Sequence, residues 1–162
     1  MTTEHAEDLS PVPAVVVLAA GRGTRMRSKK ATLLHEVAGK TMLSWSVSAA
    51  AALDPGKLVV VVGHLRDQVA EHLNTLSIPV TTAVQGEQLG TGHAVAEGLK
   101  GLADVTGDVV VTYGDVPMLT GDTLRKLVAV HRAQRNSVTV LTAEVAEPTG
   151  YGRIIRSEGR VT

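Results

Sequence analysis

The chain predicts an α/β fold built on a mostly parallel sheet flanked by helices. Short valine-rich runs alternate with segments of helical periodicity, and polar turns follow the first, third and fourth of those runs. Those turns fall where such a sheet gathers its ligands, at the carboxyl ends of its strands.

The predicted strands are Ala14 to Ala20, Leu58 to Val62, Val80 to Val84, Asp108 to Tyr113 and Val138 to Val145. Their near-continuous apolar character is that of strands covered on both faces. Helices are expected between them. Thr41 to Leu53 is alanine-rich and stops at Asp54-Pro55-Gly56, and Arg66 to Leu76 stops before Pro79. Thr91 to Leu102 and Thr120 to Arg135 follow the same plan. In the last, Leu124, Leu127, Val128 and His131 share one face, Thr120 suits an N-cap, and Asp122 suits the positive end of the helix dipole. This alternation implies right-handed crossovers.

Composition sets the limits. With 162 residues and 44% hydrophobic content, the chain can bury one core and reads as a single domain or part of one, residues 14–162 behind a flexible polar leader, 1–13. Net charge is zero with both signs interspersed, which gives no electrostatic footprint for nucleic acid or an anionic membrane. Cysteine is absent, which excludes disulfides, thiolate metal sites and thiol catalysis. With no signal-peptide pattern and no apolar run of membrane-spanning length, a cytoplasmic location is expected.

The candidate chemistry sits on three turns. Leu18-Ala19-Ala20-Gly21-Arg22-Gly23-Thr24-Arg25-Met26 leaves the first strand as a glycine-rich, basic loop, able to offer backbone N–H groups and guanidiniums to a polyphosphate. Gln85 to His93 follows the third strand, with an amide able to read a base edge and a Gly-Thr-Gly turn opening a helix. There Thr91 also has a plain reading as that helix's N-cap. Asp115, after Tyr113-Gly114 and stiffened by Val116-Pro117, is the best candidate ligand for a hard cation such as Mg²⁺. A turn aspartate capping its own backbone is the plain alternative.

Two common phosphate motifs fail. Met26 stands where the dinucleotide fingerprint needs its third glycine, and Val62-Gly63-His64 supplies no ribose-gripping carboxylate. A dinucleotide oxidoreductase is therefore disfavoured. Gly39-Lys40-Thr41 copies the end of a Walker A loop, but Leu34 occupies the position of the first glycine. Trp45 reads as packing, His5, His64, His72 and His131 as surface or half-buried imidazoles, and His93 as a helix cap.

Together the first loop, Gln85-x-Glu87-Gln88-Leu89-Gly90-Thr91-Gly92-His93-Ala94, Tyr113-Gly114-Asp115-Val116-Pro117 and Pro148-Thr149-Gly150-Tyr151-Gly152-Arg153-Ile154 resemble the N-terminal uridylyltransferase part of the GlmU family. These are bifunctional bacterial enzymes that make UDP-N-acetylglucosamine, within the sugar-nucleotidyltransferase superfamily. The first loop belongs to the whole superfamily; the other strings are more particular to the family.

The resemblance implies a Rossmann-like sheet of nucleotidyltransferase type and a Mg²⁺-dependent reaction of UTP with N-acetylglucosamine 1-phosphate, forming UDP-N-acetylglucosamine and pyrophosphate. It implies that Leu18, Ala19, Ala20, Gly21 and Gly23 hold the nucleotide, Arg25 neutralises the triphosphate, and Gln85, Gly90 and Thr91 contact the uridine. Tyr113 and Gly114 would complete the nucleotide site, Asp115 would hold Mg²⁺, and Gly152 would line the sugar pocket. Thr32 stands where the family carries a phosphate-binding lysine, with Lys29 and Lys30 just upstream as possible replacements. The chain stops before the family's later sugar- and metal-binding residues and its β-helix acetyltransferase domain, so a C-terminally truncated domain is expected. A catalytically weak or silent nucleotide-binding fragment, or a related nucleotidyltransferase with another phosphorylated substrate, are the alternatives. The homotrimer of full-length members would be assigned to that absent domain.

Overall fold

The computed structural model describes residues 11–23, 26–102, 104–158 and 160–161. Its centre is β1, Ala14–Ala19, every residue of which is buried. Two parallel partners flank it: β4, Lys57–Val62, on one side and β6, Val109–Tyr113, on the other. β5, Thr81–Val84, pairs in parallel with the outer side of β4, so the strand order is β5-β4-β1-β6. An antiparallel pair, β2 (Glu36–Val37) and β3 (Lys40–Thr41), precedes the first helix, and another, β7 (Arg156–Ser157) and β8 (Arg160–Val161), lies near the end.

Among the described residues, four α-helices cover the sheet. α1 (Met42–Ala51), α2 (Arg66–Asn74) and α4 (Gly121–Ala133) bury Leu43, Val47, Val69, Leu73, Leu124 and Val128 against the face carrying Val15, Val17, Val60 and Val62. α3 (Thr91–Lys100) covers the opposite face, where Val16, Leu18, Val59 and Val61 meet Ala94. α3 lies close because Gly98 has no side chain: a Cβ there would stand 2.7 Å from Val16 Cγ1 and 2.9 Å from Val61 Cγ2. Thr120 caps α4 as expected, accepting from the Thr123 amide, and Thr41 caps α1 by accepting from Ser44. At Trp45, Nε1 donates to the Val37 carbonyl and the ring sits 4.8 Å below the Lys40 ammonium, which fastens the β2–β3 pair to α1.

Three sequence expectations change. Val138 to Val145, expected as a strand, is irregular and exposed, Val138 at 76%. Valine content favours a strand only where a neighbouring edge and a covered face exist to receive it, and the run pairs with no strand among the described residues. The edge strands are also not covered on both faces, since Val109, Val111 and Tyr113 of β6 and Val84 of β5 remain exposed. Third, Val12, counted with the leader in the sequence reading, is buried in the core and its carbonyl accepts from the Gly56 amide at 3.1 Å. No helix among the described residues is long and apolar enough to cross a membrane.

The topology creates a ligand position. From β1 the chain winds outward through β4 to β5, then α3 returns it across the sheet to β6 on the other side of β1. The winding direction reverses between β1 and β6, which opens a crevice at the carboxyl ends of the strands.

Candidate functional site

A cleft of about 280 Å³ lies in that position. The first loop forms one wall, with Leu18, Ala19, Ala20, Gly21 and Gly23 all lining it. Gly23 adopts φ 58°, and a Cβ there would fall 1.8 Å from Thr32 Oγ1, so the bend and the close packing both require glycine. Thr32 also lines the cleft, its hydroxyl donating to the Gly23 carbonyl at 3.3 Å. The residue in the family's lysine position is thus a neutral brace for the glycine loop. Lys29 and Lys30 do not line the cleft; burial, aided by the Lys30 charge, disfavours protonation of His72. Arg25 falls outside the described residues.

Gln85, Gly90 and Thr91 line the opposite wall. The Gln85 amide N–H donates to the Val62 carbonyl at 2.8 Å, which carries the pairing of β5 on β4 one residue past the strand end. Gly90, not Thr91, is the N-cap of α3, at φ 104°, and no side chain caps that end. The Gly90 carbonyl accepts from the Ala94 amide and from Gln85 Nε2, each at 3.1 Å. His93 does not cap the helix; it joins Gln85 to Glu97. A hydrogen bond from Lys100 is the main cause that holds Glu97 below the usual carboxylate range.

Gln88 lines the cleft too, although the sequence reading assigned it no role. Its Nε2 donates to the Ala20 carbonyl at 2.8 Å and its Oε1 accepts from Arg22 Nε at 2.7 Å, so one side chain ties the two walls together. The only advance signal was its place within the matched string.

β6 supplies the floor and the rim. Tyr113 and Asp115 line the cleft, and the Asp115 side chain is exposed with no ion-pair or hydrogen-bond partner among the described residues. Gly114 lies beneath, its amide donating to the Leu18 carbonyl at 2.9 Å; a Cβ there would press on Leu33 and Leu43 at 3.2 Å. Gly152 is exposed and does not line this cleft. Among the described residues no three of His, Asp and Glu gather closely enough to enclose a metal ion. A single uncommitted carboxylate on the rim fits a Mg²⁺ held chiefly by phosphate and water oxygens, because that ion seldom takes an all-protein cage.

A glycine loop, a helix N-terminus and an exposed carboxylate meeting at the reversal point of a parallel sheet form a site of the nucleotidyltransferase kind. The chain belongs to the MobA-like NTP transferase domain family, whose pattern matches residues 15–159. It is similar to the bifunctional protein GlmU of Cutibacterium acnes, 68% identical over 143 residues, and to that of Thermobifida fusca, 52% identical over 154 residues. These matches take in 88% and 92% of this chain, and bear out the resemblance read from its motifs. The chain spans about a third of the length of those relatives. Among solved structures, a nucleotidyl transferase from Methanothermobacter superposes with a TM-score of 0.62 at 27% identity, covering 73% of this chain and 56% of its own.

Proposed function

We propose that the cleft binds UTP and that the chain carries the uridylyl-transfer half of a reaction with N-acetylglucosamine 1-phosphate, releasing pyrophosphate. The observation that carries this reading is the convergence of the three polar turns on one cleft at the strand ends. The 68% identity to a GlmU relative supports the choice of nucleotide and sugar phosphate over those of other nucleotidyltransferases.

In this reading a phosphate oxygen of the sugar attacks the α-phosphorus of UTP in line, and the bond to the β-phosphate oxygen breaks. Such a reaction needs positioning and charge neutralisation rather than a protein nucleophile. The loop from Leu18 to Gly23 places its backbone around the nucleotide, and Gln85 meets the base from the far wall. Asp115 is the residue that would hold Mg²⁺, which when bound neutralises phosphate charge. Arg25, in the sequence position to reach the triphosphate, completes the proposed set.

A second reading, nucleotide binding with little turnover, is favoured by one observation: Thr32 brings no charge where the family has an ammonium. Loss of one such electrostatic contact costs on the order of a hundredfold in rate. Titration of the 162-residue chain with UTP, with and without Mg²⁺, tests the binding claim, and pyrophosphate release on adding N-acetylglucosamine 1-phosphate separates the two readings. Failure to bind UTP under either condition rejects both.

A further inference from the structure

We infer that His93, oriented by Glu97, is a positioning residue that fixes which end of the Gln85 amide faces the cleft and so selects a base that carries a proton on ring nitrogen N3. The inference rests on reading the cleft as a pyrimidine-nucleotide site.

Gln85 is only 5% exposed, so its amide cannot satisfy itself from bulk water on all sides. The two ends of that amide have opposite characters: Nε2 only donates and Oε1 only accepts. Nε2 lies 3.1 Å from the Gly90 carbonyl and 3.1 Å from His93 Nδ1. A carbonyl oxygen has no proton to give, so the donor end of Gln85 must face it. With Nε2 placed there, His93 Nδ1 must be the unprotonated, accepting nitrogen.

The rest of the chain of contacts agrees with that assignment. The ring proton then resides on His93 Nε2, which lies 3.2 Å from Glu97 Oε1. Glu97 stays ionised because Lys100 Nζ donates to it at 2.6 Å, so it accepts from the imidazole. Every bond in the series therefore runs one way, from Gln85 to His93 to Glu97. Both Nε2 protons are committed, one to Gly90 and one to His93.

Oε1 is left over. It has no partner among the described residues, and it is not sealed from solvent, the only buried unpartnered side-chain atoms there being His35 Nε2 and Ser46 Oγ. The side chain that carries it lines the cleft. A ligand base thus meets an acceptor. Uracil carries a proton on N3 and can donate to it, whereas cytosine N3 is itself an acceptor and would face lone pair against lone pair. Turning the amide over to suit cytosine would break both Nε2 bonds and set Oε1 against the Gly90 carbonyl. Discrimination between bases is therefore built two residues deep, in contacts no ligand touches.

The test compares UTP and CTP affinities by calorimetry on the full chain, in Mg²⁺, for four proteins. Wild type prefers UTP. In His93→Ala one of the two restraints on the amide is gone, and the preference falls by about fivefold. His93→Asn can offer Oδ1 near the position of Nδ1, and it keeps the preference within about twofold of wild type by retaining an acceptor. Glu97→Leu frees the ring to carry its proton on Nδ1 and lowers the preference in the same direction, a readout that stands even if His93→Ala does not fold. An unchanged UTP-to-CTP ratio in His93→Ala and Glu97→Leu overturns the inference while leaving the nucleotide reading intact. A wild-type chain that binds both nucleotides equally overturns the inference alone, and one that binds neither rejects the pyrimidine-site reading and this inference with it.

Discussion

Gln88 Nε2 and the Ala20 carbonyl meet at 2.8 Å across 68 residues of sequence, joining the loop after β5 to the end of β1. The same amide accepts from Arg22, so removing it frees both the wall and the guanidinium. Gln88→Ala is expected to weaken UTP binding about tenfold, the ordering of two loops then being charged against the ligand. Calorimetry reads the loss, and a thermal midpoint within a few degrees of wild type shows that the fold survives.

Thr32 offers a second measurement. Thr32→Lys restores an ammonium to the cleft wall at the cost of the bond to the Gly23 carbonyl. UTP affinity should rise about tenfold at low salt, with the gain shrinking as ionic strength increases. If affinity does not change, the charge is already supplied from elsewhere. Thr32→Val, which loses the brace and gains no charge, should bind more weakly than wild type.

Gly98 sets the height of α3 above the sheet. Gly98→Ala drives a methyl into Val16 and Val61, both almost wholly buried, and should lower stability by about 1–2 kcal/mol even after the gain in helix propensity. Gly92→Ala in the same helix meets nothing within 4 Å and should leave stability unchanged or slightly raised. Urea midpoints at constant slope distinguish the two.

His72 makes stability depend on pH. Its Nε2 lies 2.8 Å from Thr41 Oγ1 and 2.9 Å from Ser44 Oγ, and burial, aided by Lys30, lowers its pKa. The unfolded chain, titrating at about 6.5, then binds the proton more readily than the folded one. Its contribution is complete above that value and is lost as pH falls through the lower, folded value. Wild type should therefore lose more stability between pH 7 and pH 5 than His72→Gln, measured by urea denaturation at each pH.

Much of the sheet was legible in the sequence because β1 and β4 are buried on both sides and carry unbroken apolar runs. Helix limits followed from Thr120 and from the Asp54-Pro55-Gly56 stop. The cleft walls were legible as motifs, because the glycine and polar strings at three strand ends matched one family together. What could not be read were side-chain directions. Whether Gln88 points at Ala20, or His93 at Gln85, depends on how two loops are set by strands far apart in the chain. The exposure of Val138 was illegible for a related reason, because a valine run looks the same with or without an edge to join.

The burial of β1 has a mechanical consequence. The Leu18 to Gly23 side hangs from a strand clamped by parallel neighbours on both edges, whereas the Gln85 side hangs from β5, paired among the described residues along one edge only and largely open to solvent. One jaw is stiff and the other compliant. Under the proposed reading, a grip that tightens on a nucleotide comes mainly from the Gln85 side, with the Leu18 to Gly23 side serving as the anvil, and amide exchange should be slowest in β1 and faster in β5.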